Sequence, residues 1–336
     1  MKALVLGCGS IGLRHIEHLQ RLGVAQIEAA DPDLAACQRA RERTHVQVVA
    51  VPDEALQRRP DIVLVCTPAS THVDLAAQAL GVGAHVFIEK PLCTTLLEAE
   101  NLRKIGRADG RVVQVGYNLR YHPAVRAAKK LIEQGKIGRV LTGHFEFGLY
   151  LGKWWRDRDY RSSYMAQSDL GGGLLLDSSH EIDLALFFLG KARRASAAAG
   201  KLSGLDIRGV DTIKATLEME SGAVVSLSMD CLQPTYTRCL FLVGEDAGLR
   251  WDCVEGRADS SLGRLSLCER GRQAYMPVPV EGDPLDTYLD ELRDFLASVE
   301  GSRKSQVDLE EGLEVVRVAA ALEESIRTER TVRVGG

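Results

Sequence analysis

The amino-acid sequence predicts two α/β domains in series, the first built on a parallel sheet and the second on a mainly antiparallel one. Three observations carry this. Up to about residue 118, short apolar runs alternate with amphipathic stretches, and strands that are apolar throughout belong to a parallel sheet covered on both faces. After residue 120 the β-runs follow one another directly, as in an antiparallel sheet. The length, 336 residues, suits about two domains, 1–118 and 119–336.

In the first domain the strands are KALVLG (2–7), QIEAAD (26–31), VQVVA (46–50), DIVLVC (61–66), HVFIE (85–89) and RVVQVG (111–116). Between most of them lie amphipathic stretches such as IGLRHIEHLQRLG and STHVDLAAQALGVG. The second domain opens on a helix, HPAVRAAKKLIEQGK, and a strand, RVLTGHFEFGLYL. A long polar and aromatic loop (151–169) leads to GGGLLLDSSHEID (171–183), read as one helix behind a glycine entry. The strands DTIKATLEME, AVVSLSMDCL, RCLFLVG, GLRWDCV and RLSLCER follow, the first two joined by a Ser-Gly turn between Glu220 and Ala223. Helices near 284–299 and 308–328 complete the pattern, and there is no internal repeat.

Composition narrows the function. Hydrophobic residues are 45% and charged residues 26%, and 42 basic against 46 acidic side chains leave a net charge of −4. A mildly acidic chain without a dense basic run is not built for nucleic acid. No stretch reaches the roughly eighteen apolar residues of a membrane helix. The start, MKALVLGCGS, reads as a first strand and not as a leader, so a cytoplasmic protein without a membrane partner is expected. The eight cysteines are scattered without a CxxC pair, which predicts reduced thiols and no metal site.

The motif GCGSIG places Gly7, Gly9 and Gly12 in GxGxxG spacing around Ser10 and Ile11, after a strand and at the start of a helix. Asp31 ends the next strand, nineteen residues past Gly12. That context is the dinucleotide-binding fingerprint of a Rossmann fold: a tight turn at Gly7, backbone approach to a pyrophosphate at Gly9, and close helix–strand packing at Gly12. A carboxylate at Asp31 accepts bonds from the ribose hydroxyls and repels a 2′-phosphate, which favours NAD over NADP. Ligands of such sheets gather at the carboxyl ends of the strands. Two ends stand out: Thr67 and Pro68, with His72 in the following helix, and Glu89, Lys90 and Pro91. Lys90 therefore falls on the cofactor edge by topology, as a catalytic group or as a solvated strand end. His72 alone reads as a structural or capping residue. Asp177 and His180, three apart on one predicted helical face, read either as a satisfied core pair or as an acid–base pair.

Together the glycine loop, TPASTH, EKP and GGGLLLDSSHEID resemble the Gfo/Idh/MocA family of NAD(P)-dependent oxidoreductases, over essentially the whole chain. The resemblance implies a Rossmann domain followed by an α/β domain with an open, mainly antiparallel sheet. It implies catalytic roles for Lys90, Asp177 and His180, with the Asp177–His180 segment facing the cofactor edge, and cofactor contacts at Thr67, Pro68, His72, Glu89, Lys90 and Asn118. Substrates in the family are sugars, polyols and nucleotide sugars, and two or four copies are expected to associate through the second sheet. The histidine follows the aspartate by three residues here and by four in the family's commoner pattern; on a helix both spacings share a face. GYNLRYHP, WWRDRDYR and DSSHEID further resemble a branch associated with surface-polysaccharide sugars. Substrate contacts are placed at Asn118, Arg120, Tyr121, Trp155, Arg156, Tyr160 and Arg161. The loop arginines can fork onto a carboxylate or phosphate, or they can pair with Asp157 and Asp159.

The function expected is hydride transfer between a hydroxyl-bearing carbon and a nicotinamide, with Lys90 and His180 on the substrate oxygen and Asp177 supporting the histidine. Two rivals share the scaffold: a sugar-responsive NAD-binding regulator without turnover, and an NAD-dependent glycoside hydrolase that recycles its cofactor in place.

Overall fold

The computed structural model describes residues 1–154, 159–167, 172–253 and 262–335, apart from the side chains of 107–109. The chain forms two compact units, Met1–Tyr117 with Tyr288–Val316, and Asn118–Thr287 with Arg317–Gly336. The first break therefore falls beside the expected residue 118. The return of 288–316 to the first unit was not foreseen.

In the first unit the order is β1 (Lys2–Leu6), α1 (Ser10–Arg21), β2 (Gln26–Ala30), α2 (Leu34–Thr44), β3 (Gln47–Val49), α3 (Pro52–Gln57), β4 (Ile62–Val65), α4 (His72–Gly81), β5 (His85–Glu89), α5 (Leu96–Asp109) and β6 (Val113–Gly116). All six strands are parallel, in the order β3-β2-β1-β4-β5-β6. Strands β4 and β5 bury almost every residue, as sheets covered on both faces must. Helix α1 turns Leu13, Ile16 and Leu19 inward, and α5 is closed by a capping box between Thr95 and Glu98. Leu292 and Phe295 complete this core, the Phe295 ring meeting Phe87 edge-on at 5.8 Å. The strand order reverses between β1 and β4, and in such sheets the ligand crevice opens at the carboxyl ends beside that switch point.

The second unit contains α6 (Pro123–Glu133), β7 (Val140–Tyr150), α7 (Leu174–Asp177), α8 (Ser179–Leu189), β8 (Ala192–Gly200), β9 (Thr212–Met219), β10 (Val224–Asp230), β11 (Leu232–Gly244), β12 (Ala247–Asp252), β13 (Arg264–Glu269) and β14 (Met276–Pro277). Beyond these come α9 (Thr287–Val299), α10 (Leu309–Thr328) and β15 (Val332–Arg333). Nine strands lie in the order β14-β13-β12-β11-β7-β10-β9-β8-β15, antiparallel throughout except for the β7–β10 pair. The Ser-Gly turn is present, with Gly222 at φ +87. Strand β8 had escaped prediction because its run ARRASAAAG is alanine-rich and low in β-propensity. On β9, Ile213, Ala215, Leu217 and Met219 face inward in strict alternation. Helix α8 is buried on nearly every side, its Phe188 ring stacked on Phe145 of β7 at 6.3 Å. All eight cysteines are free thiols, and among the described residues no helix is long and apolar enough to cross a membrane.

Candidate active site

The glycine loop is shaped by what its residues lack. Gly7 has φ +98, and a Cβ there would stand 2.5 Å from the Cys66 carbonyl oxygen. At Gly12 a Cβ would meet the Gly7 carbonyl oxygen at 1.9 Å, so β1 and α1 can approach only as they do. Around Gly9, by contrast, a Cβ would find nothing within 4 Å. Gly9 caps α1 and no side chain among the described residues is bonded to that helix end, which leaves its first N–H groups for an anion. Asp31 stands beside the loop: its Oδ2 accepts the Cys8 N–H at 2.7 Å and its Oδ1 the Asp33 N–H at 2.8 Å. The α2 arginines are engaged elsewhere. Arg39 lies 3.8 Å from Asp33, Arg41 donates to the Val48 carbonyl at 2.7 Å, and Arg43 donates to Glu17 at 2.6 Å.

Two further loops leave the same strand ends. After β4, the Thr67 and Thr71 hydroxyls meet at 2.7 Å, and Thr71 donates to the Pro68 carbonyl at 2.8 Å. His72 is 1% exposed, with Nε2 at 2.8 Å from the Thr67 carbonyl and Nδ1 at 2.9 Å from that of Pro91. Burial pushes its pKa below the usual value, against the pull of those carbonyls. His72 thus packs between the Thr67 loop and the Lys90–Pro91 turn, and its neutral ring donates its one N–H to one of the two carbonyls, as the structural reading expects. Lys90 is half-buried at the end of β5, and its N–H donates to Glu89 Oε2 at 3.1 Å.

Behind Lys90 lies a cluster that sequence reasoning missed. His15 Nε2 and Glu89 Oε1 are 2.5 Å apart, and the wholly buried Glu291 carboxylate converges on them within 4.8 Å. No hydrogen-bond donor of the described residues reaches either Glu291 oxygen. Burial, reinforced by the Glu89 carboxylate and opposed by Arg14, holds Glu291 well above the ordinary glutamate pKa. One signal was available: His15 and Glu291 both interrupt the apolar stripes of their helices, the latter among Tyr288, Leu292 and Phe295.

In the second unit Gly173, at φ +96, opens α7, and a Cβ on Gly172 would lie 2.0 Å from the Tyr164 carbonyl oxygen. The expected single helix is two: α7 ends at Asp177, Ser178 turns at φ −90 and ψ 19, and α8 starts at Ser179. Asp177 is half-buried and His180 buried. Burial, with the Asp177 carboxylate the leading charge, pushes the Cys231 thiol up to about 12. Two buried ion pairs hold α8. Arg120 Nε and Nη2 donate to Asp183 Oδ1 at 3.0 and 2.7 Å, and Arg238 Nε donates to Glu181 Oε1 at 2.8 Å. Burial, the largest influence, would lower the Arg238 pKa, but the charge and hydrogen bond of Glu181 together with Tyr236 and Cys253 raise it.

The expected substrate contacts are placed as follows. Arg120 and Tyr121 are 2% and 1% exposed, the first consumed by Asp183 and the second packed under the Arg126 guanidinium. Asn118 is also buried, its Nδ2 donating to Thr287 Oγ1 at 3.1 Å. In the loop, Tyr160 Oη accepts the Asp206 N–H at 3.0 Å. The Arg161 guanidinium is held by Asp159, Nε to Oδ2 at 2.8 Å, which is the salt-bridge alternative. Trp155, Arg156 and Gly171 lie outside the described residues.

Comparison with known proteins agrees with this architecture. A family model described as "Oxidoreductase family, NAD-binding Rossmann fold" matches residues 1–117, and one described as "GFO/IDH/MocA C-terminal domain" matches 125–250. The chain is 34% identical to levoglucosan dehydrogenase of Pseudarthrobacter phenanthrenivorans, over 51% of this chain and 44% of that one. It is 25% identical to myo-inositol 2-dehydrogenase of Thermotoga maritima, over 99% and 98% of the two chains. Among solved structures, the WlbA dehydrogenase of Bordetella pertussis, in complex with NADH and UDP-GlcNAcA, superposes with a TM-score of 0.83 at 21% identity, covering 100% of this chain and 99% of that one. With both family models in chain order over a six-stranded Rossmann sheet and a nine-stranded, mainly antiparallel one, the chain belongs to the Gfo/Idh/MocA family of NAD-binding oxidoreductases.

Proposed function

We propose that the protein is an NAD-dependent dehydrogenase that oxidises a hydroxyl-bearing carbon of a sugar, polyol or nucleotide sugar. One observation carries the reading: Gly7, Thr67 and Lys90 follow the carboxyl ends of β1, β4 and β5 of one parallel sheet, beside its switch point. The open space at Gly9 and the uncapped start of α1 fit a pyrophosphate. Asp31 fits the ribose hydroxyls of NAD, and its carboxylate repels a 2′-phosphate. When bound, the nicotinamide supplies the hydride chemistry. The protein's part is proton and charge management.

In this reading Lys90 binds and polarises the substrate hydroxyl oxygen, and His180 takes its proton. Asp177 orients the imidazole and favours its protonated form. Glu89 fixes the Lys90 backbone. The relatives named above act, by their names, on an inositol and on levoglucosan, which puts polyols and anhydro sugars first among substrates to test. Arg161, held by Asp159, no longer supports an anionic preference by itself.

The test is NADH formation, followed by absorbance, from inositols, anhydro sugars, aldoses and UDP-linked sugars with NAD supplied. Turnover on one class is expected. NAD binding without turnover on any of them would favour the regulator, and sugar release from glycosides without net NADH the hydrolase.

A further inference from the structure

We infer that the second unit's sheet carries a site for a borderline-soft divalent cation of the zinc class, formed by His144, Glu146 and Cys239 on the face turned away from α8. It is independent of the proposed dehydrogenase reaction.

Strand pairing builds the cluster. Residues two apart on a strand share a face, so His144 and Glu146 of β7 project together, while Phe145 between them faces α8. In register, Cys239 of β11 lies beside Glu146, and Ser226 of β10 lies beside His144. Asp252 of β12 pairs with Cys239 on its other side, its carboxylate held by Arg250 Nε at 3.3 Å. A nitrogen, an oxygen and a sulfur atom thus converge within 4.8 Å, all on half-buried residues.

The distances suit a tetrahedral ion. Zinc–sulfur bonds of about 2.3 Å and zinc–nitrogen or zinc–oxygen bonds of about 2.0–2.2 Å make the edges between ligand atoms roughly 3.3–3.6 Å. Glu146 Oε2 lies 3.7 Å from His144 Nε2 and 3.6 Å from Cys239 Sγ, so two of the three edges are already close to that length. The outer contacts also match. Ser226 Oγ engages His144 Nδ1 at 2.8 Å, which leaves Nε2 for the ion, and Gln233 Nε2 reaches Glu146 Oε1 at 3.5 Å. A mixed N, O and S donor set selects zinc-like ions over magnesium or calcium. On binding, the Cys239 S–H bond breaks as the sulfur–metal bond forms, the proton passes to solvent, and nothing is oxidised.

The spacing of the sequence hid this set and led to the expectation of no metal site, because Cys239 comes 93 residues after Glu146. The test is titration of metal-free full-length protein with Co²⁺. The expected result is a near-ultraviolet thiolate-to-cobalt charge-transfer band with visible bands of tetrahedral intensity, saturating at one ion per chain and displaced by Zn²⁺. Cys239→Ser should abolish the charge-transfer band. Ser226→Ala, a milder change that keeps all three ligands, should weaken the affinity by roughly 10–100-fold. Absence of the band in wild type, its persistence in Cys239→Ser, or unchanged affinity in Ser226→Ala would each overturn the assignment.

Discussion

The glycine loop of the first unit and the α7–α8 segment of the second are held in place by opposite means. In the loop, backbone takes its place because side chains are missing: any Cβ at Gly7 or Gly12 would collide with a carbonyl oxygen. In the segment, a helix is placed because charged side chains are present and buried, Asp183 on Arg120 and Glu181 on Arg238. A steric device fails when something is added, and an electrostatic one when a partner is removed. The two units should therefore break differently.

The largest loss of stability is expected in the second unit. Arg120→Ala removes the buried guanidinium that pairs with Asp183, which should cost about 3–5 kcal/mol, read by chemical denaturation. If the variant unfolds at the wild-type midpoint, the ion pair does not hold α8. In the first unit Gly12→Ala overpacks the β1–α1 contact and should cost about 1–3 kcal/mol together with dinucleotide affinity. Gly9→Ala separates the two effects. With open space around it, stability should stay within about 0.5 kcal/mol while NAD binding weakens, as calorimetric titration would report. Unchanged NAD affinity there would remove the pyrophosphate from Gly9.

Asp31→Ala should narrow the preference for NAD over NADP by about tenfold or more, the scale of a lost charge-assisted hydrogen bond. Tighter binding of NADP than NAD by the wild type would reverse the cofactor assignment. The smallest effect concerns Glu291. An acid whose folded pKa is raised contributes stability that is complete below its unfolded value and is lost as pH rises toward the folded value. The melting temperature of Glu291→Gln, measured from pH 4.5 to pH 8, should therefore rise relative to wild type as pH increases. Parallel profiles would mean that Glu291 ionises inside the fold.

The same contrast explains how far the sequence could be read. Steric devices are local: GCGSIG, its flanking strand and Asp31 lie within one stretch of chain, and the six parallel strands emerge within about two residues of their predicted ends. Electrostatic devices are not. The partners of Glu181 and Asp183 lie 57 and 63 residues away, so DSSHEID offered Asp177 and His180 as candidates and concealed the ion pairs that hold α8. Arg120 and Tyr121 looked like surface recognition groups because a buried arginine and an exposed one are spelled alike. His15 and Glu291 were legible only as polar interruptions of apolar stripes. Strand β8 was lost for another reason, since alanine carries no strand signal until neighbours pair with it.

The claim that Lys90 and His180 act together on one substrate oxygen is tested most directly by a double-mutant cycle on NADH formation. Lys90→Ala and His180→Ala should each lower kcat by roughly 10²–10⁴-fold while NAD binding is kept. The double variant should fall little below the worse single, because groups that act as a unit are not additive. A double variant as slow as the product of the singles would show two independent roles. Near-normal turnover in His180→Ala beside a dead Lys90→Ala would make the lysine the proton acceptor and leave the histidine to the packing of α8.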